Sequence, residues 1–158
     1  MISQDDAYQD MVQTHAFALL TMADTSLLVP QNQIISLEPV LDISHAPPGR
    51  GNVGTIRFQS RSVPVYRLNS LMRTQQELNA DHRFTVIFEY DGIYFGLLCK
   101  QMQSVSRDRL ILNPIPVCMQ QADMVFTALA IFDNSVIKVT SKTALAMHLE
   151  LARGGAGG

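Results

Sequence analysis

The sequence predicts a mainly β fold, a sandwich or a barrel built from short strands. From Ala16 onward, short runs of Val, Ile, Leu and Phe recur along the chain, and Asp, Asn, Gly or Pro closes each run. Turn residues spaced in this way are typical of all-β domains. Two dipeptides, Asp91-Gly92 and Asp133-Asn134, add hairpin signals, because both tolerate the left-handed backbone of tight turns.

Length and composition limit the classes of function. The 158 residues suffice for one domain or for two small intertwined halves. Charged residues make up 16% of the chain and hydrophobic residues 47%, so much of the surface is expected to be uncharged, which suits protein contacts. A formal net charge of -2 offers no field for phosphates, so nucleic acid is not predicted as a partner.

The first half is predicted to hold a short helix followed by five strands. Tyr8, Met11 and Val12 recur at helical spacing within an N-terminal segment, residues 1–14. The strands are predicted at Ala16–Met22, Leu27–Pro30, Ile34–Ile43, Val53–Phe58 and Ser62–Arg67. A polar segment from Leu71 to Asp81 is interpreted as the link to the second half.

Pro64 lies inside the last of these predicted strands. Because proline has no backbone N–H, this strand is predicted to lie at a sheet edge or a bulge. Edges and bulges are where small β-proteins meet their partners. The segment from Gly54 to Leu68 is therefore interpreted as an interaction surface.

The second half is predicted to contain two hairpins, an extended segment and a final helix. The first hairpin alternates apolar residues from Phe84 to Cys99 around Asp91-Gly92. The second hairpin spans Ala128 to Val139, and Leu110–Met119, which contains two prolines, is predicted as an edge strand or extended segment. Ser141 is the expected N-cap of a helix from Lys142 to Ala152, with Gly154 at its end, and the glycine-rich residues 151–158 are expected to form a flexible tail.

No residue pattern predicts catalysis, a metal or a cofactor. The segment Gly49 to Gly54 matches G-x-G-x-x-G, but no strand precedes it and no helix follows it, so a turn is predicted. The four histidines are scattered without metal-ligand spacing, and Cys99 and Cys118 are interpreted as reduced thiols. The acidic start and the short apolar runs predict neither a secretory leader nor membrane insertion, so a cytoplasmic location is expected.

One alternative is a cyclic di-GMP receptor. Arg57 and Arg61 have a spacing that is similar to the arginine motif of PilZ domains, which are small β-barrels, and the segment Asp91 to Gly96 partly resembles the second motif of that family. The serine of that second motif is missing. The simpler interpretation is that both arginines occupy solvated positions of a hairpin.

The order of the strands resembles the CheW family of chemotaxis coupling proteins. The resemblance rests on Leu27-Leu28-Val29-Pro30, on a proline-bearing approach to Gly54, and on Val63-Pro64-Val65 followed by Leu68. It continues through the hydrophobic strand before Asp91-Gly92 and the Gly96-Leu97-Leu98 strand after it. The family commonly has Asn-Leu-Arg-Gly before its Pro-Val strand. Here Gln59 and Ser60 replace the Arg and the Gly, so a longer or bulged turn is expected.

The resemblance implies two intertwined, five-stranded, SH3-like β-barrels over residues 15–150 that carry out no catalysis. It implies an adaptor that binds a histidine kinase regulatory domain and the cytoplasmic tip of a chemoreceptor, in chemotaxis or pilus-based motility. The matching motif positions are Gly54, Val63, Pro64, Val65 and Leu68, with core packing as the open alternative for Val63, Val65 and Leu68. By position alone, Arg57, Gln59, Ser60 and Arg61 complete the candidate contact surface.

Overall fold

The computed structural model describes residues 9, 11–39, 43, 51–75, 82–116, 118 and 125–149. Its strands are β1 (Ala16–Thr21), β2 (Ser26–Pro30), β3 (Ile34–Pro39), β4 (Gly54–Phe58), β5 (Arg61–Leu68), β6 (Thr74–Gln75), β7 (Phe84–Tyr90), β8 (Ile93–Cys99), β9 (Gln101–Ser106), β10 (Ile111–Pro114), β11 (Ala128–Phe132) and β12 (Ser135–Val139). One α-helix, α1 (Lys142–His148), and two short 3-10 helices, Gln31–Gln33 and Arg107–Arg109, complete the described elements.

The chain folds into two compact units that alternate along the sequence. The first unit contains the described residues up to Leu19, Ser26–Gln33 and the described residues from Gln103 onward. The second contains Leu20–Thr25 and the described residues of Ile34–Met102. This mainly β, interleaved arrangement confirms the predicted fold class. The N-terminal helix, the glycine-rich tail and the end of the C-terminal helix lie largely outside the described residues.

In the first unit, a sheet in the order β10-β11-β12-β2-β1-β9 surrounds an apolar core, although the last residues of β1 and the first two of β9 belong to the second unit. Asp133 and Asn134 have φ values of 48° and 64°, so the predicted β11–β12 hairpin is closed by a tight left-handed turn. The predicted N-cap is also confirmed, because the Ser141 hydroxyl accepts a hydrogen bond from the Ala144 N–H at 3.1 Å. The core consists of Met11, Phe17, Leu28, Val105, Leu110, Leu112, Ala128, Ala130, Phe132, Ile137 and Val139.

In the second unit, a sheet in the order β3-β7-β8-β5-β4 carries the candidate surface, and the short strand β6 pairs with β5. The β7–β8 hairpin has the predicted register around Asp91-Gly92, with φ values of 51° and 80°. At Gly96 the sheet leaves no room for a side chain, since a Cβ atom there would lie 2.5 Å from the Thr85 methyl carbon. One cluster of its buried core consists of Val53, Ile56, Val63, Val65, Ile87 and Leu98.

The position predicted for Pro64 is wrong. Its strand, β5, lies between β8 and β4, so β4 forms the edge of the sheet. The Val53 N–H donates to the Val65 carbonyl at 2.9 Å, so the polar groups of Val65 face the β4 side and those of Pro64 face the other way. On that other side, β5 pairs in parallel with β8 only at Val65 and Tyr66. The pairing therefore does not need a hydrogen bond from the backbone nitrogen of Pro64, which has no hydrogen.

The sequence pattern did not predict two of the strands, and it predicted a later end for a third. Strand β9 is mostly polar, and only Val105 among its residues is buried. Strand β6 lies inside the segment predicted to be a linker. Strand β3 spans Ile34–Pro39, residues 40–42 of the predicted strand lie outside the described residues, and Ile43, its predicted end, lies outside any strand.

Candidate functional site

The candidate surface is the β4–β5 hairpin, whose turn is tighter than expected. Phe58 lies opposite Arg61, so only Gln59 and Ser60 connect the strands. Their φ values are 51° and 65°, which is the doubly left-handed geometry of a type I′ turn. The expectation of a longer or bulged turn is therefore wrong. The hairpin keeps the two-residue geometry without a glycine, and it must accommodate the backbone strain that this implies.

The structure divides the predicted site residues into a buried and an exposed set. Val63, Val65 and Leu68 have relative exposures of 0%, 0% and 1%, so their side chains pack in the interior, as the open alternative had it. Gly54 is buried and Pro64 is half-buried. The exposed members are Arg57, Gln59, Ser60 and Arg61, and they cluster at the tip of the hairpin. The exposed side chains of the candidate surface therefore lie at the hairpin tip, and the buried valines of β5 anchor the strand that carries this tip.

The two arginines of the tip point to opposite faces of the sheet. Arg57 lies opposite Ser62, and Arg61 lies opposite Phe58. Paired residues share a face and consecutive residues alternate, so Arg61 shares the core-side face with Phe58, whereas Arg57 shares the outer face with Ser62. The spacing of the two arginines therefore does not bring them together on one face.

Among the described residues, aromatic side chains support Arg61 but not Arg57. The guanidinium carbon of Arg61 lies 4.6 Å from the centroid of the Tyr94 ring, within cation–π range. The Tyr94 ring in turn contacts Phe58, with the two centroids 6.0 Å apart and the planes tilted by 42°. Phe58 and Tyr94 also pack against the core of this unit. These contacts connect the exposed guanidinium to the interior.

Tyr94 is the residue that the sequence analysis missed at this site. Its contact with Arg61 depends on β5 lying beside β8 in parallel, with Val65 opposite Gly96. Periodicity predicts the two strands but not their pairing, since they are separated by β6 and β7. The sequence gives one local signal for the position of Tyr94, the register of the Asp91-Gly92 hairpin, which places Tyr94 opposite Glu89. That register does not indicate the contact with Arg61.

Neither tip arginine is neutralised within the described residues. The single ion pair found there joins Arg109 and Asp133, 3.8 Å apart, in the other unit. Glu89 lies opposite Tyr94, and its carboxylate accepts a hydrogen bond from the Gly92 N–H at 3.1 Å. It forms no ion pair with Arg61.

The potentially reactive side chains lie elsewhere. Cys99 is fully buried, and desolvation raises the pKa of its thiol to about 12, so it is a small apolar side chain at neutral pH. Cys118 is exposed. Across the described ranges, no group of three or more His, Cys, Asp or Glu side chains is placed to hold a metal ion. Among the described helices, none is long and apolar enough to cross a membrane.

Comparison with known proteins decides the family. A family model described as the CheW-like domain matches residues 16–145. The chain belongs to the CheW-like family. None of the curated proteins compared with it matches. Among solved structures, this CheW-like chain is similar to the scaffolding protein TtCheW from Thermoanaerobacter tengcongensis, with a TM-score of 0.61 and 16% sequence identity, covering 81% of this chain and 89% of that one. That level of identity shows a shared fold.

These findings confirm the family resemblance and the fold predicted from the sequence. They support a chemotaxis coupling adaptor and do not favour the PilZ interpretation of Arg57 and Arg61. The geometry agrees, because Arg57 and Arg61 point to opposite faces of the hairpin and do not form one paired site.

Proposed function

We propose that this CheW-like protein is a non-enzymatic adaptor of a bacterial chemosensory system. The observation that carries the proposal is the family match over residues 16–145, which spans most of both compact units. The adaptor acts by binding proteins and changes no covalent bond. Its buried Cys99 thiol and the low share of charged residues in the chain are consistent with a molecule that offers surfaces to other proteins.

The proposed partners are a histidine kinase regulatory domain and the cytoplasmic tip of a chemoreceptor, in flagellar or pilus-based motility. Both partners present their binding sites in the cytoplasm, and we assign the adaptor to that compartment. Gln59 and Ser60 replace the Arg and Gly of the family motif at the exposed hairpin tip. This change favours a diverged, accessory coupler over the standard one, since it alters the side chains that a partner would meet.

Within this function, the hairpin tip is the proposed contact surface. Four residues are exposed at this tip, with one in the edge strand β4 and three directly after it: Arg57, Gln59, Ser60 and Arg61. Val63, Val65 and Leu68 serve the contact indirectly, because their burial holds the strand that carries the tip.

Calorimetric titration of the full chain tests the proposal. The titrants are a histidine kinase regulatory domain and a chemoreceptor cytoplasmic tip from the same organism, and we expect micromolar binding to at least one of them. A double variant, Arg57→Ala with Arg61→Ala, should weaken that binding. Arg83→Ala serves as the control, because Arg83 is equally exposed in the same unit but lies outside the hairpin. Absence of binding to both titrants would reject the adaptor function.

A further inference from the structure

We propose that Arg61, stacked on Tyr94, is the side chain with which the β4–β5 hairpin recognises a carboxylate group on its protein partner. Arg57, only four residues away, does not share this role. The inference rests on the proposed adaptor function and names the chemistry of the partner at the contact. Arg61 then determines specificity, and Tyr94 is the residue that positions it.

The contact with Tyr94 holds the Arg61 guanidinium without neutralising its charge. The guanidinium carbon lies 4.6 Å from the ring centroid, within cation–π range. A carboxylate binds a guanidinium through two parallel N–H···O bonds, and the aromatic ring contributes no negative charge that would compete for them. Arg61 is therefore held in place and remains able to bind a carboxylate.

Restraint of Arg61 before binding lowers the entropy cost of the contact. An exposed arginine loses rotamer freedom when a partner immobilises it, and this loss reduces affinity. Tyr94 already restrains Arg61, and Phe58 restrains Tyr94 through a contact at 6.0 Å between ring centroids. Clusters of arginine and tyrosine near packed aromatic side chains are also the usual composition of binding hot spots.

The charges around Arg61 also favour a carboxylate contact at this side chain. Arg61 has no ion-pair partner among the described residues, since the single pair found there is Arg109–Asp133. The parallel pairing of β5 with β8 brings the Asp91-Gly92 turn to the same end of the sheet as the β4–β5 tip. Glu89 and Asp91 therefore add negative charge near the tip, so we expect selectivity to come from direct contact at Arg61. Because that contact is an exposed charge pair, it should weaken as salt is added.

Arg57 is a matched internal control. It has the same side chain on the same hairpin, it is also exposed, and it has no ion-pair partner in the described residues. It differs in pointing to the opposite face, opposite Ser62, and no cation–π contact is found for it among the described residues. A role for hairpin charge alone would make the two arginines equivalent, whereas the proposed role makes only Arg61 important.

The affinities of variants for the kinase regulatory domain and the receptor tip test the inference. For whichever partner binds, Arg61→Ala should weaken binding about tenfold or more, and Arg57→Ala by less than about threefold. Tyr94→Phe should bind like the parent chain, and Tyr94→Leu should weaken binding while thermal unfolding verifies that it is folded. Equal effects of the two arginine variants, or full binding by Arg61→Ala, would overturn the inference and leave the adaptor function standing.

A second measurement decides the inference even if neither partner binds. Arginine side-chain Nε–Hε signals of the full chain are followed by NMR during titration with a glutamate-containing peptide, its glutamine-matched analogue and a short single-stranded DNA. We expect the Arg61 signal to shift with the glutamate peptide alone, while the Arg57 signal stays in place. No shift, or an equal shift with the glutamine peptide, overturns the inference. A larger shift with DNA overturns it in favour of a phosphate ligand.

Discussion

Replacing Ser60 with glycine should make the protein more stable, although glycine usually destabilises a fold. Ser60 has a φ of 65° in the type I′ turn of the β4–β5 hairpin. A left-handed backbone costs an ordinary residue roughly 1–2 kcal/mol. Glycine avoids this strain but gains conformational freedom in the unfolded chain, which offsets roughly 0.5–1 kcal/mol. The net expectation is a gain of about 1 kcal/mol in the free energy of unfolding.

Urea and thermal unfolding, followed by circular dichroism, measure this gain. The Ser60→Gly variant should unfold at a temperature about 2–4 °C higher, with an unchanged urea m-value. Ser62→Gly is the matched control, because Ser62 is also exposed but lies in β5 with an ordinary extended backbone. There glycine should destabilise by roughly 0.5–1 kcal/mol.

The test depends on the two substitutions changing the free energy of unfolding in opposite directions. If Ser60→Gly lowered stability as Ser62→Gly does, the turn would not hold Ser60 in the left-handed region, and the tight-hairpin geometry would be refuted. A gain at both positions would equally refute it, since strain relief would then not be specific to the turn. Binding should survive Ser60→Gly, because the turn geometry that presents Arg61 is retained.

Three further predictions concern the rest of the fold. Gly96→Ala should lower the free energy of unfolding by about 1–3 kcal/mol, because its Cβ would lie 2.5 Å from the Thr85 methyl, and adding Thr85→Ser should restore most of the loss in urea unfolding. Burial raises the pKa of the Cys99 thiol from 9.0 to about 12, so the folded state holds this proton more tightly than the unfolded state. The free energy of unfolding, measured relative to Cys99→Ala, should be constant below pH 9. It should fall by about 1.4 kcal/mol per pH unit between pH 9 and 12. Asp133→Asn removes the exposed pair with Arg109 and should change stability by less than about 0.5 kcal/mol, whereas a larger loss would show a stronger pair than its exposure implies.

Local sequence signals predicted the hairpins and the helix cap correctly. Asp91-Gly92 and Asp133-Asn134 supply residues that tolerate a positive φ, and both turns form at those dipeptides. Ser141 caps α1 through its hydroxyl, as its position before an apolar helical run predicts. In each case the information lies within a few residues, so no knowledge of the rest of the chain was needed.

Pairing between distant strands was not predictable in this way. The Gln-rich strand β9 lacks the apolar alternation that marks a strand, and it forms through backbone pairing with β1. The missing N–H of Pro64 predicts an edge strand, yet the interior strand β5 accommodates this proline. It can do so because the pairing of β5 with β8 starts only at Val65. Such an arrangement depends on the relative register of three strands, which no short motif encodes.

At the candidate site, too, local features were predictable and contacts between distant strands were not. This affects how the family motif at the β4–β5 hairpin should be interpreted. Arg57 and Arg61 are exposed, as the hairpin interpretation of the sequence predicted, and alternation allowed burial of Val63 and Val65. What distinguishes the two arginines is Tyr94, which reaches Arg61 only because β8 lies beside β5. A family motif that is read along one hairpin therefore identifies a surface but not the side chain that determines its specificity. In this chain that side chain is selected by a residue on a strand from a different hairpin, so a change at Tyr94 could alter partner choice while the motif itself stays the same.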